Sequence, residues 1–241
     1  MKSSILCAAA LAAVGQAALA EPNDYVYEPE VSYGEREIDF KFGNATGPQA
    51  GRATSLGFGY GAGERWFTEF YVKYQGEPGG PDTFDAYEWE NRFLLTEPGK
   101  YPVDLGFVVE IERPQDRSEG YPVRFGPLLQ TEFGRWQLNA NLLFQRNYRS
   151  EVPNDLTAGY QLQLKYRYRE EFEYGLQAFA EVGKWDHWDP AAEQTSRLGP
   201  AVFGHLKLSG RQAISYNAAY LIGLSPAAPD HTFRMQVEYE F

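Results

Sequence analysis

The amino-acid sequence predicts an all-β protein, a transmembrane antiparallel up-and-down β-barrel of about twelve strands. Apolar and polar residues alternate over stretches of about a dozen residues, whereas strands in soluble sheets usually run to about five or six. The connections between these stretches are alternately short and long. After residue 20 no apolar run approaches the roughly 20 residues that a membrane helix needs. Without helices, a chain crosses a bilayer only as a closed barrel, because every backbone group needs a partner there.

Six strands are predicted in the first half of the chain. Each places apolar residues at every second position, which is the period of a strand. Pro127 interrupts the sixth and predicts a bulge or a strand end, because proline donates no backbone hydrogen bond. The ranges, with their outward residues, are 35–42 (Ile38, Phe40, Phe42), 53–60 (Leu56, Phe58, Tyr60), 66–75 (Trp66, Phe70, Val72, Tyr74), 84–95 (Tyr87, Trp89, Phe93, Leu95), 103–112 (Val103, Leu105, Phe107, Val109, Ile111) and 123–133.

Six further strands are predicted in the second half. The clearest is the eighth, AGYQLQLKYRYR, which alternates over its whole length. The ranges, with their outward residues, are 136–148 (Leu138, Ala140, Leu142, Phe144), 158–169 (Ala158, Tyr160, Leu162, Leu164, Tyr166, Tyr168), 172–183 (Tyr174, Leu176, Ala178, Ala180, Val182), 201–208 (Val202, Leu206, Leu208), 213–224 (Ile214, Tyr216, Ala218, Tyr220, Ile222) and 233–241 (Phe233, Met235, Val237, Tyr239, Phe241).

The N-terminal residues predict export. Lys2 precedes an apolar run that ends in Ala18-Leu19-Ala20, so residues 1–20 are predicted as a signal peptide cleaved before Glu21. Cys7, the only cysteine, lies inside this peptide and lacks a lipoprotein box, so the mature chain uses neither disulfides nor cysteine-ligated metal. Residues 21–34 are predicted as a periplasmic N-terminal segment, either a loose tail or partly folded into the lumen. Residues 35–241 form the barrel.

The connections after even-numbered strands, such as GAGE and SGR, are shorter than those after odd-numbered strands, such as KWDHWDPAAEQTSR. With the signal peptide, the alternating strands and the ending Val237-x-Tyr239-x-Phe241, this resembles Gram-negative outer-membrane β-barrel proteins of the porin type. The resemblance implies a place in the bacterial outer membrane. It also implies contact with membrane lipid and lipopolysaccharide, and a C-terminal signal read by the barrel-assembly machinery.

The polar parity of the strands is predicted to line the lumen, with charges of both signs. The formal net charge of −11 argues against a nucleic-acid partner. The favoured function is a narrow passive channel for small polar solutes. Eight strands leave an interior filled by side chains and 16–18 leave a channel, so a closed barrel with a structural or surface-binding role stays open as an alternative. The predicted lumen-lining residues are Glu88, Glu90, Arg92, Glu110, Arg124, Lys165, Arg167, Arg169, Glu181, His205 and Lys207.

A third alternative is an outer-membrane lipid hydrolase, which needs a nucleophile beside a base. His205 could stand across a hairpin from Ser215 or Asn217, but that pair would face the lumen. The segment KWDHWDP places His187 among acidic residues, and we interpret it as interfacial tryptophans beside a solvated loop. No catalytic residue, metal site or cofactor is predicted.

Overall fold

A computed structural model describes residues 21–241 of the chain. The predicted signal peptide, with Cys7, lies outside the described residues. Antiparallel strands dominate this part of the chain, and one 3-10 turn, Arg117–Glu119, interrupts them. The strands are β1 Arg36–Thr46, β2 Gly51–Gly63, β3 Trp66–Gly76, β4 Thr83–Leu94, β5 Asp104–Pro114, β6 Tyr121–Phe133, β7 Trp136–Tyr148, β8 Thr157–Arg169, β9 Phe172–Lys184, β10 His187–Trp188, β11 Thr195–Lys207, β12 Ala213–Gly223 and β13 His231–Glu240.

The strands close into a barrel. Each long strand pairs with its neighbours in chain order, β8 pairs with β9, and β13 pairs with β1. At this last seam Ile38 lies opposite Tyr239 and Phe40 opposite Val237. The two-residue β10 only folds back onto β9. Within the described residues, twelve long strands therefore form the wall, which confirms the fold class that the sequence predicts.

The outer surface of the barrel is apolar. Phe58, Phe70, Trp89, Leu142 and Leu176 point outward and are each 44–51% exposed. Burying such a face in lipid removes it from water, and strands of 10–13 residues suit a tilted crossing of the hydrocarbon core. No helix among residues 21–241 is long and apolar enough to span a membrane.

Several strands run further than the alternation predicts, β1 and β11 among them. β1 continues to Thr46, four residues past the expected end. β11 begins at Thr195 rather than at 201, although it contains Gly199 and Pro200. Pro200 takes its place opposite Leu176 of β9 and has no partner on β12. A proline is accommodated here because only one side of the strand loses its hydrogen bond.

Pro127 also lies inside a strand instead of ending one. β6 pairs with β7 from Tyr121 to Phe125 and again from Leu128 onward, without a change of register. The predicted bulge or strand end is therefore wrong. Pro127 lies opposite Phe107 of β5, so β6 stays in the sheet through its other neighbour.

The two ends of the barrel differ in their connections. Residues 64–65, 134–135 and 170–171 form two-residue turns at one end, which we call the short-turn end. The other end, the long-loop end, carries connections of up to ten residues, such as 185–194. The sorting has two exceptions. Residues 95–103 make a nine-residue connection at the short-turn end, where Pro102 delays the start of β5, and residues 47–50 are short at the long-loop end.

Candidate functional site in the barrel lumen

The predicted lumen-lining residues all occupy the inward parity of their strands, but at different depths. Glu88, Glu90 and Glu110 are almost inaccessible to solvent, and the remaining interior members are more open to the lumen. The interior members are Arg92, Arg124, Lys165 and Glu181; those nearer to solvent at the short-turn end are Arg167, Arg169, His205 and Lys207. The set therefore divides into a deep network and a rim.

The N-terminal segment, residues 21–34, lies inside the barrel. The sequence left open a loose tail or a segment partly folded into the lumen, and the contacts of the segment agree with the second arrangement. Glu21 forms an ion pair with Lys73 of β3 at 2.8 Å, and Asp24 pairs with Arg124 of β6 at 3.2 Å. Glu28 lies 3.4 Å from the Lys165 ammonium of β8. Since three different strands contact the segment, it lies along the axis of the lumen and not against one side.

Followed back from residue 34 to residue 21, the segment runs from the short-turn end towards the long-loop end. Near the start of β1, the Gly34 amide donates to the Gly61 carbonyl at 2.8 Å. At the other extreme, Pro22 packs against Gly43, which lies close to the long-loop end of β1. The segment therefore spans most of the length of the lumen.

Two tyrosines fill the middle of the lumen. The Tyr25 hydroxyl donates a hydrogen bond to Glu90 at 2.6 Å, and the Tyr27 hydroxyl donates to Glu110. The two rings lie 4.7 Å apart and pack with apolar inward residues of the wall, namely Val108, Leu128 and Leu143. Val26, between them, packs into a second cluster on the other side with Phe179, Ala201, Phe203, Ala219 and Leu221. The segment therefore joins two small cores in an otherwise polar interior.

Glycines on the wall make room for the segment. A Cβ on Gly43 would overlap the backbone of Pro22 and Asn23, and a Cβ on Gly106 would come within 2.8 Å of Pro29. Any larger residue at these inward positions would push the segment away. Sequence reasoning missed this role, and the signal was the choice of glycine on the inward parity of β1 and β5.

One side of the lumen is strongly acidic. In register, Glu37 lies opposite Glu240, Asp39 opposite Glu238, and Glu69 opposite Glu90. Like charges directly across a strand pair repel each other. Cations reduce this repulsion: Arg92 lies 3.0 Å from Glu90, 3.6 Å from Glu37 and 3.7 Å from Glu69.

Lys73 serves the neighbouring acids in the same way. Its ammonium lies 3.0 Å from Glu88 and 2.5 Å from Glu112, in addition to the contact with Glu21. The side chain is only 7% exposed. One buried cation thus binds a carboxylate from each of two strands and one from the N-terminal segment.

Glu88, Glu90 and Glu110 are also the group most suited to a metal ion, because one oxygen of each lies within 4.8 Å of the others. These carboxylates already bind protein groups. Lys73 contacts Glu88, and Glu90 is contacted by both Tyr25 and Arg92. Glu110 accepts the hydrogen bond from the Tyr27 hydroxyl. The chemistry of the cluster is that of an internal salt-bridge and tyrosine network.

The opposite side of the lumen is lined by amides. Gln137 donates to Asn139 at 2.9 Å, Asn141 donates to Gln161 at 3.0 Å, and Gln177 donates to Gln163 at 2.6 Å. Each of these side chains is at most 4% exposed. Amides both donate and accept, so this wall can bind neutral polar groups as well as charged ones.

A cavity of about 770 Å³ opens at the short-turn end, between the N-terminal segment and the mouth. We call it the vestibule. Its walls include the rim residues Arg167, Arg169 and His205, and the N-terminal segment forms its inner boundary through Tyr25 and Glu28. At the mouth of the vestibule, Lys207 binds Glu170 in the β8–β9 turn at 2.6 Å, and this hydrogen bond lowers the pKa of the Glu170 carboxyl.

His205 and Ser215 face each other across the β11–β12 hairpin, as the sequence suggested. His205 Nδ1 lies 2.9 Å from Ser215 Oγ, and Ser215 Oγ donates to Glu240 at 2.8 Å. A serine nucleophile needs a base that accepts its proton while that base is oriented by a third group. Here the hydroxyl proton points to the carboxylate, and the group faces the vestibule instead of lipid.

Among residues 21–241, fold and lumen together define a closed antiparallel β-barrel of twelve long strands with an apolar outer surface and an internally bound N-terminal segment. Neither a family model nor a curated protein sequence matches this chain. Its fold is similar to that of the NanC porin, with a TM-score of 0.57, 12% identity, and coverage of 85% of this chain and 98% of that one.

Two further solved structures are similar to this chain. An outer membrane channel from Pseudomonas putida F1 has a TM-score of 0.56 at 13% identity, covering 91% of this chain and 98% of that chain. The KdgM porin has a TM-score of 0.52 at 9% identity, covering 85% and 98%. At such identities the likeness concerns the fold alone, and the fold is the one that the alternating strands predicted.

Proposed function

We propose that this chain forms a narrow passive channel for small polar solutes in the outer membrane of a Gram-negative bacterium. We further propose that the N-terminal segment closes the channel and shifts when solutes pass. The solutes would be polar because the wall offers amides, carboxylates and cations along its length. The NanC porin and the outer membrane channel share the fold and agree with this assignment.

One observation carries the proposal. The wall leaves a passage wide enough for an extended polypeptide that includes Tyr25 and Tyr27, because the N-terminal segment occupies that passage. The segment is held by ion pairs and hydrogen bonds, and it joins the barrel covalently only where it enters β1 at residue 36. A passage of this width therefore opens if the segment moves.

The proposed orientation follows from the connections. In outer-membrane barrels the tight turns are periplasmic and the longer loops extracellular. The vestibule would then face the periplasm, and Glu21 would lie towards the cell exterior. Val237, Tyr239 and Phe241 at the end of β13 would act as the signal for the barrel-assembly machinery, and the apolar outer surface would contact lipid and lipopolysaccharide.

A closed barrel with a structural or surface-binding role is the second candidate. The number of buried contacts made by Glu21, Asp24, Tyr25, Tyr27 and Glu28 favours it, since a tightly bound segment keeps the lumen shut. The two candidates differ in one respect. A channel opens in the mature chain with its segment in place, whereas a barrel that the segment keeps shut conducts only once the segment is removed.

Conductance across a planar bilayer tests the proposal. We expect mature protein, residues 21–241, to give rare or small openings, and a variant lacking residues 21–33 to give stable openings several-fold larger. Gly34 is kept because its amide binds the wall. Heat-modifiable migration in detergent gels checks that each protein is a folded barrel. A folded mature protein that stays silent at every salt concentration would overturn the channel, and conduction by the deletion variant alone would support the closed barrel.

A further inference from the structure

The vestibule has the size of a solute site. Its volume of about 770 Å³ falls within the range of roughly 300–1,000 Å³ typical of small-molecule pockets. It is bounded on the inner side by the N-terminal segment, so a solute entering from the short-turn end stops there. The charges on its walls then determine which solute is retained.

One wall of the vestibule is a ladder of cations on β8. Lys165, Arg167 and Arg169 follow each other on the inward parity. Glu28 and Glu173 already pair with Lys165, at 3.4 Å and 3.7 Å, and Glu132 pairs with Arg167 at 2.7 Å. Arg169 lies 5.1 Å from the Tyr168 ring, and among residues 21–241 no carboxylate is in ion-pair distance of it. The ladder therefore ends in the guanidinium of Arg169, which can bind a carboxylate through a bidentate pair of hydrogen bonds.

The facing wall carries carboxylates. Glu37 of β1 and Glu238 and Glu240 of β13 all line the vestibule. Counting along the sheet from β8 through β9, β11, β12 and β13 to β1 gives five steps of the twelve-strand circumference, so the two walls nearly oppose each other. Glu37 is 5% exposed, and its Oε1 has no hydrogen-bond donor among the described residues, the nearest cation being Arg92 at 3.6 Å.

The acidic wall can bind an additional cation at Glu37, and the β8 ladder can bind an additional anion at Arg169. We infer that the vestibule binds small zwitterions, in which an ammonium group meets Glu37 and Glu238 while a carboxylate meets Arg169. Amino acids and short peptides are the solutes with this chemistry. The inference deepens the proposed channel function and rests on it, since it names the class of polar solute that enters.

Four forms of one short peptide test this assignment. Triglycine carries both charges, N-acetyl-triglycine only the carboxylate, triglycine amide only the ammonium, and N-acetyl-triglycine amide neither. Ligand-detected NMR titration of the refolded mature barrel in detergent measures their affinities. We expect triglycine to bind about tenfold more tightly than either singly charged form, because each end loses one charge-assisted contact when blocked. Equal affinities for all four forms would overturn the inference.

Two variants locate the two ends of the peptide. Arg169→Gln should weaken triglycine about tenfold and leave triglycine amide unchanged, whereas Glu238→Gln should weaken triglycine and leave N-acetyl-triglycine unchanged. Arg211→Gln and Glu64→Gln are the matched controls, because both residues are exposed in turns outside the vestibule. If either vestibule variant binds triglycine like the wild-type chain, the proposed position of that end is wrong.

The titration separates the inference from the channel proposal. Binding in detergent needs no conduction, so selective binding by a mature protein that stays silent in bilayers would remove the channel and keep the site. Conduction by the mature protein without charge-selective binding would keep the channel and remove the zwitterion site.

Discussion

The hydroxyl of Tyr27 in the N-terminal segment donates a hydrogen bond to Glu110 of β5, 83 residues further along the chain. Both residues are buried inside the barrel. The carboxylate is anchored in the wall, whereas the tyrosine belongs to a segment that no strand pairing holds. This contact is made by two side chains, with no backbone group taking part. It can therefore break without disturbing the sheet.

Removing the tyrosine hydroxyls should release the segment. In Tyr25→Phe/Tyr27→Phe, the carboxylates of Glu90 and Glu110 each lose a donor, at a cost of about 1–3 kcal/mol each. We expect more frequent openings in planar bilayers with an unchanged heat-modifiable fold. Tyr33→Phe is the control, because Tyr33 is 69% exposed. An open probability in the double variant no higher than in this control would contradict the role of the hydroxyls.

Adding a methyl group to the barrel wall at Gly43 should also release the N-terminal segment. Gly43→Ala places a Cβ against the backbone of Pro22 and Asn23, which overpacks the site by about 1–3 kcal/mol. Because Cys7 is the only cysteine and lies in the predicted signal peptide, Asn23→Cys introduces a single thiol into the mature chain. Its maleimide labelling should be slow in the parent and about tenfold faster with Gly43→Ala.

The control for this experiment is Gly63→Ala, at the end of β2. A Cβ on Gly63 would have its nearest neighbour at 4.0 Å, an ordinary contact distance. Labelling of the introduced thiol should therefore stay slow in that variant. Equal labelling rates in the Gly43→Ala and Gly63→Ala backgrounds would show that the glycine does not accommodate the segment.

The wall of the barrel could be predicted from the sequence because lipid imposes a strict rule on the outward parity. Most outward positions are apolar, and at Tyr160, Leu162 and Leu164 the alternation is unbroken, so the strand is recognisable. Strand ends were less certain, since Pro200 can remain in a strand when only one neighbour depends on its amide.

The contents of the lumen could not be predicted, because the inward parity obeys no such rule. Phe67, Tyr71 and Val108 share that parity with glutamates and are at most 3% exposed. Whether such residues face water or the N-terminal segment depends on contacts between distant parts of the chain. The inward glycines Gly43 and Gly106 are the feature of the sequence that indicates a segment packed closely against the wall.

The buried Lys73 should be important for stability. Lys73→Met removes the cation shared by Glu21, Glu88 and Glu112 and leaves three carboxylates close together. Removing one partner of a buried ion pair costs about 3–5 kcal/mol, and we expect a loss of that order in the free energy of unfolding. Unfolding in guanidinium, followed by tryptophan fluorescence, measures it. Lys100→Met, whose lysine is 55% exposed, should change stability by less than about 1 kcal/mol.

The outcome for Lys73→Met also tests the network itself. A loss no greater than that of Lys100→Met would mean that the three carboxylates are relieved by solvent, and that the lysine does not bind them together. A large loss accompanied by faster labelling of the thiol at position 23 would show that the ion pair with Glu21 helps to hold the segment.

Charge reversal at the mouth should change ion selectivity. Arg167 and Arg169 lie at the short-turn end, where both are exposed, and Arg167 binds Glu132 at 2.7 Å. Arg167→Glu/Arg169→Glu turns two cations into anions beside an already acidic wall, which raises the local concentration of cations. In the variant lacking residues 21–33, reversal potentials under a salt gradient should shift towards cation selectivity by several-fold in permeability ratio. Arg211→Glu, in the β11–β12 turn, should shift them far less, and unchanged potentials in the double variant would mean that ions do not pass the β8 ladder.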